Sequence, residues 1–182
     1  MTDSADRLSE RVLVLRCQAG DDAAFEQVVV AFSPRLRYFL RRILGEAECI
    51  EDVLQDVWLQ VFRGLPSLAD AGAFRTWLYR IARDRAYREF RKRRPPVQLQ
   101  EDSDLALAPE CGGDIPAESI EQVHVALGRL VQEHREVLVL RFLEGMSYED
   151  IARVIGCPLG TVRSRIHYAK LALQSALKRD EP

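Results

Sequence analysis

Apolar residues recur at three- and four-residue spacing along most of the chain, and this spacing predicts helices. Leu8, Val12 and Leu15 give residues 8–18 one apolar face. Gly20, Asp21 and Asp22 interrupt the pattern and cap a second helix. Phe25, Val28, Val29 and Phe32 then face a core, and Leu36, Leu40 and Ile43 continue the stripe to Gly45. Pro34 inside that run bends the helix or starts its next turn. Residues 47–63 bury Ile50, Val53, Leu54, Val57 and Val61. The longest uninterrupted stretch is 74–94, with Leu78, Ile81 and Ala82 inward, Trp77 on the same side, and Pro95 and Pro96 as its stop.

Periodicity fails over 95–117, which holds Pro109, Gly112, Gly113 and Pro116 among Glu101, Asp102, Asp104, Glu110 and Asp114. A packed domain rarely needs so long a structureless loop, so this reads as a flexible acidic linker. Helices resume over 118–130, with Ile120, Val123, Leu127 and Leu130 inward. Val137, Leu138, Leu140 and Phe142 form another helix that ends near Gly145. Ser147-Tyr-Glu-Asp150 reads as a capping box in which Asp150 reaches back. A short helix carries Ile151, Ala152 and Ile155. Gly156 and Cys157 turn the chain, and Pro158 takes the first position of a last helix with Leu159, Val162, Ile166 and Leu173 inward. Short helix, tight turn and longer basic helix make a helix-turn-helix. The predicted fold is all-α: two small helical domains, 8–94 and 118–178, joined by the linker 95–117.

Composition narrows the classes. The chain has 182 residues, a net charge of -2 and 47% apolar residues, enough for a folded core. The near-neutral total hides a dipolar layout. The helix at 74–94 exposes Arg80, Arg83, Arg88, Arg91 and Lys92, with Tyr79, Tyr87 and Phe90 among them. Arginines suit phosphates and rings suit unstacked bases, so this mixture points to nucleic acid with exposed bases. Tyr79, Arg80, Arg83 and Arg88 are placed on that surface and Trp77 in the core. The helix at 47–63 has an acidic face with Glu51, Asp52, Gln55 and Asp56, suited to a basic partner. In the helix-turn-helix, Thr161, Arg163, Ser164, Arg165, His167, Tyr168 and Lys170 are the groups available to a major groove.

Enzymatic readings are weak. Glu51, Asp52 and Asp56 supply carboxylates, and Cys157 sits at a helix start, but no constellation forms around them. Cys17, Cys49, Cys111 and Cys157 form no CxxC pair and read as reduced thiols of a cytosolic protein. They do not combine with His124, His134 and His167 at metal-ligand spacing, so neither metal nor other cofactor is expected. The polar start, Met1-Thr-Asp-Ser-Ala-Asp6, is unlike a signal peptide.

Ile50-Glu-Asp-Val-Leu-Gln-Asp-Val-Trp-Leu-Gln-Val-Phe62 resembles the sigma-70 region 2 helix that docks on the RNA polymerase clamp. Phe74-Arg-Thr-Trp-Leu-Tyr-Arg-Ile-Ala-Arg83 resembles the promoter-melting helix that comes after it. The stretches 135–152 and 160–167 resemble region 4. Order, linker and size resemble an extracytoplasmic-function (ECF) sigma factor, which has regions 2 and 4 alone. The resemblance implies an alternative sigma factor, active in transcription initiation and without a reaction of its own. It implies three partners: core RNA polymerase at its clamp and flap, promoter DNA, and an anti-sigma factor, often membrane-attached, that would hold this cytoplasmic protein at the inner membrane face. Asp52, Gln55 and Asp56 match the polymerase-binding positions. Tyr79, Arg80, Arg83, Asp84 and Arg88 fall in the part that handles the single-stranded non-template strand at -10. Arg85 falls there too, and the loop 64–73 matches the segment that captures an unstacked base. Thr161, Arg163, Ser164, Arg165 and His167 match the helix that reads duplex -35 DNA. Three positions depart from the family pattern: Asp84 replaces a frequent Asn, Leu130-Val131 replaces Leu-Pro, and Asp70-Ala-Gly72 replaces a Gly-Asp-Ser-like segment. A stand-alone helix-turn-helix regulator on duplex DNA is the rival reading; it lacks a clear dimerisation helix.

Overall fold

The computed structural model describes residues 2–45, 48–93 and 120–178. The chain forms two compact units, residues 1–96 and 97–182. The linker predicted at 95–117 lies outside the described residues, as does Cys111.

The first unit contains α1 (Thr2–Gln18), α2 (Asp22–Leu44), α3 (Ile50–Gly64) and α4 (Phe74–Arg93). Two 3-10 turns, Leu65–Ser67 and Ala71–Ala73, connect α3 to α4. Pro34 does not break α2, which runs through it as one helix. The α2 stripe of Val28, Phe32, Leu36, Phe39, Leu40 and Ile43 is buried against α3 and α4. Phe74 of α4 meets Phe32 edge-to-face at 5.6 Å between centroids. The Trp58 indole N–H donates to Ser33 Oγ at 3.1 Å and ties α3 to α2.

Asp21 caps α2 by accepting from the Ala24 N–H at 3.0 Å, and its carboxylate also takes the Arg16 guanidinium at 2.7 Å. These bonds, that from Ala24 foremost and that from Arg16 next, hold its carboxyl below the usual aspartate range. A carboxyl lowered in the fold contributes stability that is complete above its unfolded value, about 3.9. That contribution is lost as pH falls through the lower folded value. Asp21→Asn keeps a good cap and removes the charge. We expect wild type to melt above this variant at neutral pH, with the gap closing below about pH 4. Thermal midpoints across pH measure it; a gap that stays constant would assign the carboxylate no role.

The stripe predicted for α1 is wrong. Leu8, Val12 and Leu15 are 65%, 49% and 51% exposed, while Val14 is fully buried. Glu10, Cys17 and Gln18 share the partly buried side with Val14. Polar partners on α4 and on the loop before it choose that face: Arg75 pairs with Glu10, and the Leu65 and Leu68 carbonyls accept from Gln18.

The second unit contains α5 (Ile120–Arg129), α6 (Gln132–Leu138), a π turn (Val139–Leu143), α7 (Tyr148–Ile155) and α8 (Leu159–Lys178). Helices α5, α6 and α7 pack on α8. The wider turn at 139–143 rotates Phe142 out of the core, and it is 48% exposed under the Lys170 ammonium. This corrects its inward assignment. The Ser147 cap is present: its Oγ accepts from the Asp150 N–H at 3.0 Å. The Asp150 carboxylate also accepts from the Ser147 hydroxyl at 2.8 Å. Gly156 ends α7 at φ +76°, the left-handed conformation that favours glycine. Pro158 stands just before α8 and not within it, its carbonyl accepting from the Val162 N–H at 3.2 Å.

Candidate nucleic-acid and polymerase interfaces

α4 packs on both α2 and α3, so its buried arc is wide. Phe74, Leu78, Tyr79, Ile81, Ala82 and Ala86 all lie within it. Tyr79 is therefore not a DNA-surface residue. Its side chain is fully buried, with its ring 5.2 Å from that of Phe39. The small residues Ala82 and Ala86 on the same arc let the helices approach closely enough to enclose the ring.

The remaining arc is narrow and coherent. At about 100° per residue, Arg80, Arg83, Asp84, Tyr87, Arg88 and Arg91 share one side of α4. Arg80, Asp84, Arg88 and Arg91 are exposed. The Arg83 guanidinium lies 4.4 Å from the Tyr87 ring centroid, a stacked cation and ring of the kind that bases and phosphates engage. Arg85 faces elsewhere. Its Nε donates to Gln60 at 2.9 Å and its guanidinium lies 3.6 Å from the Asp56 carboxylate, joining α4 to α3. Trp77 stands at the border of the core, half-buried; an added Cβ on Gly64 would meet its ring at 2.8 Å.

On α3, Asp52, Gln55 and Asp56 are exposed on one side. Glu51 is held by Arg37 through two parallel donations, which lower its carboxyl. It is thereby separated from the others. Leu59 and Phe62, 47% and 58% exposed, extend the acidic face. Neither stands out by motif. Each is an apolar residue off the buried α3 stripe, and that is the signal by which the sequence marks them.

In the second unit, Val162, Ile166, Ala169 and Leu173 of α8 are buried. Ser164 and His167 lie on the opposite side, and the Ser164 hydroxyl donates to the Thr161 carbonyl at 3.1 Å. Thr161, Arg163 and Arg165 flank them. Two residues apart, Arg163 and Arg165 diverge to opposite edges of this face. They cannot address the same base edge, and Arg163 is the more exposed. The Arg141 guanidinium, which donates to the Met146 carbonyl at 2.8 Å, fixes the turn into α7. Among the described residues there is no cluster of His, Cys, Asp and Glu able to hold a metal ion, and no helix long and apolar enough to cross a membrane.

The first unit thus sets a cationic and aromatic ridge beside an acidic helix, and the second is a helix-turn-helix. Residues 28–95 match Sigma-70 region 2 and residues 120–173 match Sigma-70, region 4. The chain is 37% identical over 186 residues to the RNA polymerase sigma-H factor of Pseudomonas aeruginosa, covering 93% of this chain and 94% of that protein. It is 34% identical over 189 residues to the ECF RNA polymerase sigma-E factor of Escherichia coli K12, covering 96% and 97%. The solved structure of the sigma factor RpoE in complex with the anti-sigma factor NepR, from Bartonella quintana, is similar with a TM-score of 0.65 at 29% identity. It covers 86% of this chain and 98% of that one. CnrH, solved in complex with the cytosolic domain of CnrY, shares the fold with a TM-score of 0.67 at 24% identity, covering 94% and 99%. The chain belongs to the ECF group of the sigma-70 family and is an alternative sigma factor.

Proposed function

We propose that this protein joins core RNA polymerase through the Asp52, Gln55 and Asp56 face of α3. It then holds the non-template strand open near -10 along α4, and seats α8 in the major groove of -35 DNA. The observation that carries this reading is the outward arc of α4, where Arg80, Arg83, Arg88 and the Tyr87 ring lie together. Phosphate contacts there supply position and affinity, and base contacts supply choice. Trapping an unstacked base offsets an unpairing cost of a few kcal/mol. The chain supplies binding and no reaction; the polymerase makes the bonds. An anti-sigma protein covers these faces until a signal arrives, in keeping with the RpoE–NepR pair at 29% identity. This reading places the protein in the cytoplasm.

The test reconstitutes the protein with core polymerase and selects transcribed promoters from a random library. Enrichment of paired -35 and -10 elements is expected; duplex binding by the isolated protein with no effect of polymerase would overturn it. The docking face is tested by Asp52→Arg, since Asp56 also serves Arg85. Charge reversal at a docking face should weaken core affinity on the order of tenfold. A binding titration with unchanged affinity would remove Asp52 from the interface.

A further inference from the structure

The loop between α3 and α4 is fixed along its length, mostly by groups outside itself. At its start, Gly64 lies against the Trp77 ring, with no room for a Cβ. In its middle, the Gln18 amide donates twice, to the Leu65 carbonyl at 3.0 Å and to the Leu68 carbonyl at 2.8 Å. Asp70 folds the second turn by accepting from the Gly72 N–H at 2.8 Å. Just beyond its end, Arg75 meets Glu10 at 2.6 Å, in a pair with side chains only 18% and 15% exposed. Pro66, Ser67, Ala69, Asp70 and Gly72 stay exposed. Both Gln18 and Glu10 belong to α1, and the region 2 match begins only at residue 28.

A loop that discriminates bases must keep one shape, because a loop free to adapt accepts several ligands at similar cost. Short 3-10 turns have poor internal hydrogen bonding and do not keep a shape unaided. Here two carbonyls of the loop accept from one side chain 47 and 50 residues earlier, the Leu65 carbonyl also taking the Leu68 N–H at 3.1 Å. A carboxamide is suited to this, since its NH2 group carries two donors. Gln18 lies one turn from the fully buried Val14 on the inward face of α1.

We infer that Gln18 is a positioning residue for -10 selectivity: its amide sets the shape of the 65–68 turn and thereby which base the loop accepts. This rests on the reading that the loop takes an unstacked base. Gln18→Met keeps the length and packing of the side chain and removes both donors. Gln18→Lys returns N–H donors to the same carbonyls.

The experiment is holoenzyme transcription from a library randomised at -10 and, separately, at -35, with core affinity and thermal midpoint measured in parallel. With Gln18→Met, discrimination at the -10 base should fall on the order of tenfold, the scale of two net hydrogen bonds. Preference at -35 and core affinity should stay as in wild type, and Gln18→Lys should recover part of the loss. An unchanged -10 preference in Gln18→Met would overturn the inference while leaving the loop's role intact. A matched loss at -10, at -35 and in core binding would also overturn it, in favour of a merely structural bond. A wild-type protein with no -10 preference at all would overturn the reading of the loop itself.

Discussion

Tyr79→Ala is expected to bring the first unit close to unfolding at room temperature. The ring is fully buried between α4 and α2, edge-to-face with Phe39 at 5.2 Å. Truncating a large buried aromatic to alanine costs about 3–5 kcal/mol, from lost burial and the cavity left behind. A domain holds only about 5–15 kcal/mol in total. Trp58 and Trp77 are the chain's two tryptophans, and both lie in this unit, so their fluorescence reports its unfolding alone. Denaturant melts tracked by that signal should show a much lower midpoint. Tyr79→Phe, which keeps the ring, should remain near wild type. Were Tyr79→Ala to melt like wild type yet lose promoter opening, the residue would return to the DNA surface.

Tyr79 also shows where the sequence is readable and where it is not. Helix positions are legible wherever the buried residues form one apolar stripe: Val28, Phe32, Leu36 and Leu40 of α2, and Val162, Ile166 and Leu173 of α8, all fall where periodicity puts them. Caps are legible because Asp21 and Ser147 act on their own next turn. α4 has two partners, and the second widens its buried arc past the stripe of Leu78 and Ile81. A tyrosine flanked by arginines then looks like surface although it is core. α1 fails for the opposite reason. Its buried side packs mainly on α2 and mixes Val14 with Glu10 and Gln18, whose partners Arg75 and the Leu65 and Leu68 carbonyls lie tens of residues away, so no apolar stripe marks it. Phe142 is misplaced by periodicity because a π turn changes the period that helical spacing assumes.

The acidic and basic helices are recognisable in the sequence as separate surfaces, and their linkage is not. Arg85 reads from the sequence as one of the DNA-facing cations, yet it spans to Gln60 and Asp56 of α3. Helical spacing puts Arg85 about 140–160° around the axis from Arg80 and Arg83. Contact with α3 decides which of these sides faces out. The same rotation gathers Arg80, Arg83, Asp84 and Arg88 on one side of α4.

That rotation makes strand opening testable with cleaner variants than the cations as a group. Arg80 and Arg88 lie two turns apart on the exposed side of α4, flanking Asp84. Neither packs in the core, so Arg80→Ala with Arg88→Ala should leave the tryptophan melt unchanged. Core affinity should also hold, because the α3 face is untouched. Transcription from a closed duplex promoter should drop strongly, since the displaced strand loses two phosphate anchors just as its pairing energy must be offset. A template already mismatched across -10 should recover much of the loss, its opening cost having been removed. The salt dependence of open-complex formation should weaken, its log-log slope falling by about 1 to 2 for two single-strand phosphates. Asp84→Asn should act in the other direction: it removes an anion set between those two arginines and strengthens the hold on phosphate. The decisive comparison runs wild type and both variants on closed and mismatched templates at several salt concentrations. Equal defects on the two templates would make this side of α4 a general anchor, and a lost polymerase interaction would take it out of DNA binding altogether.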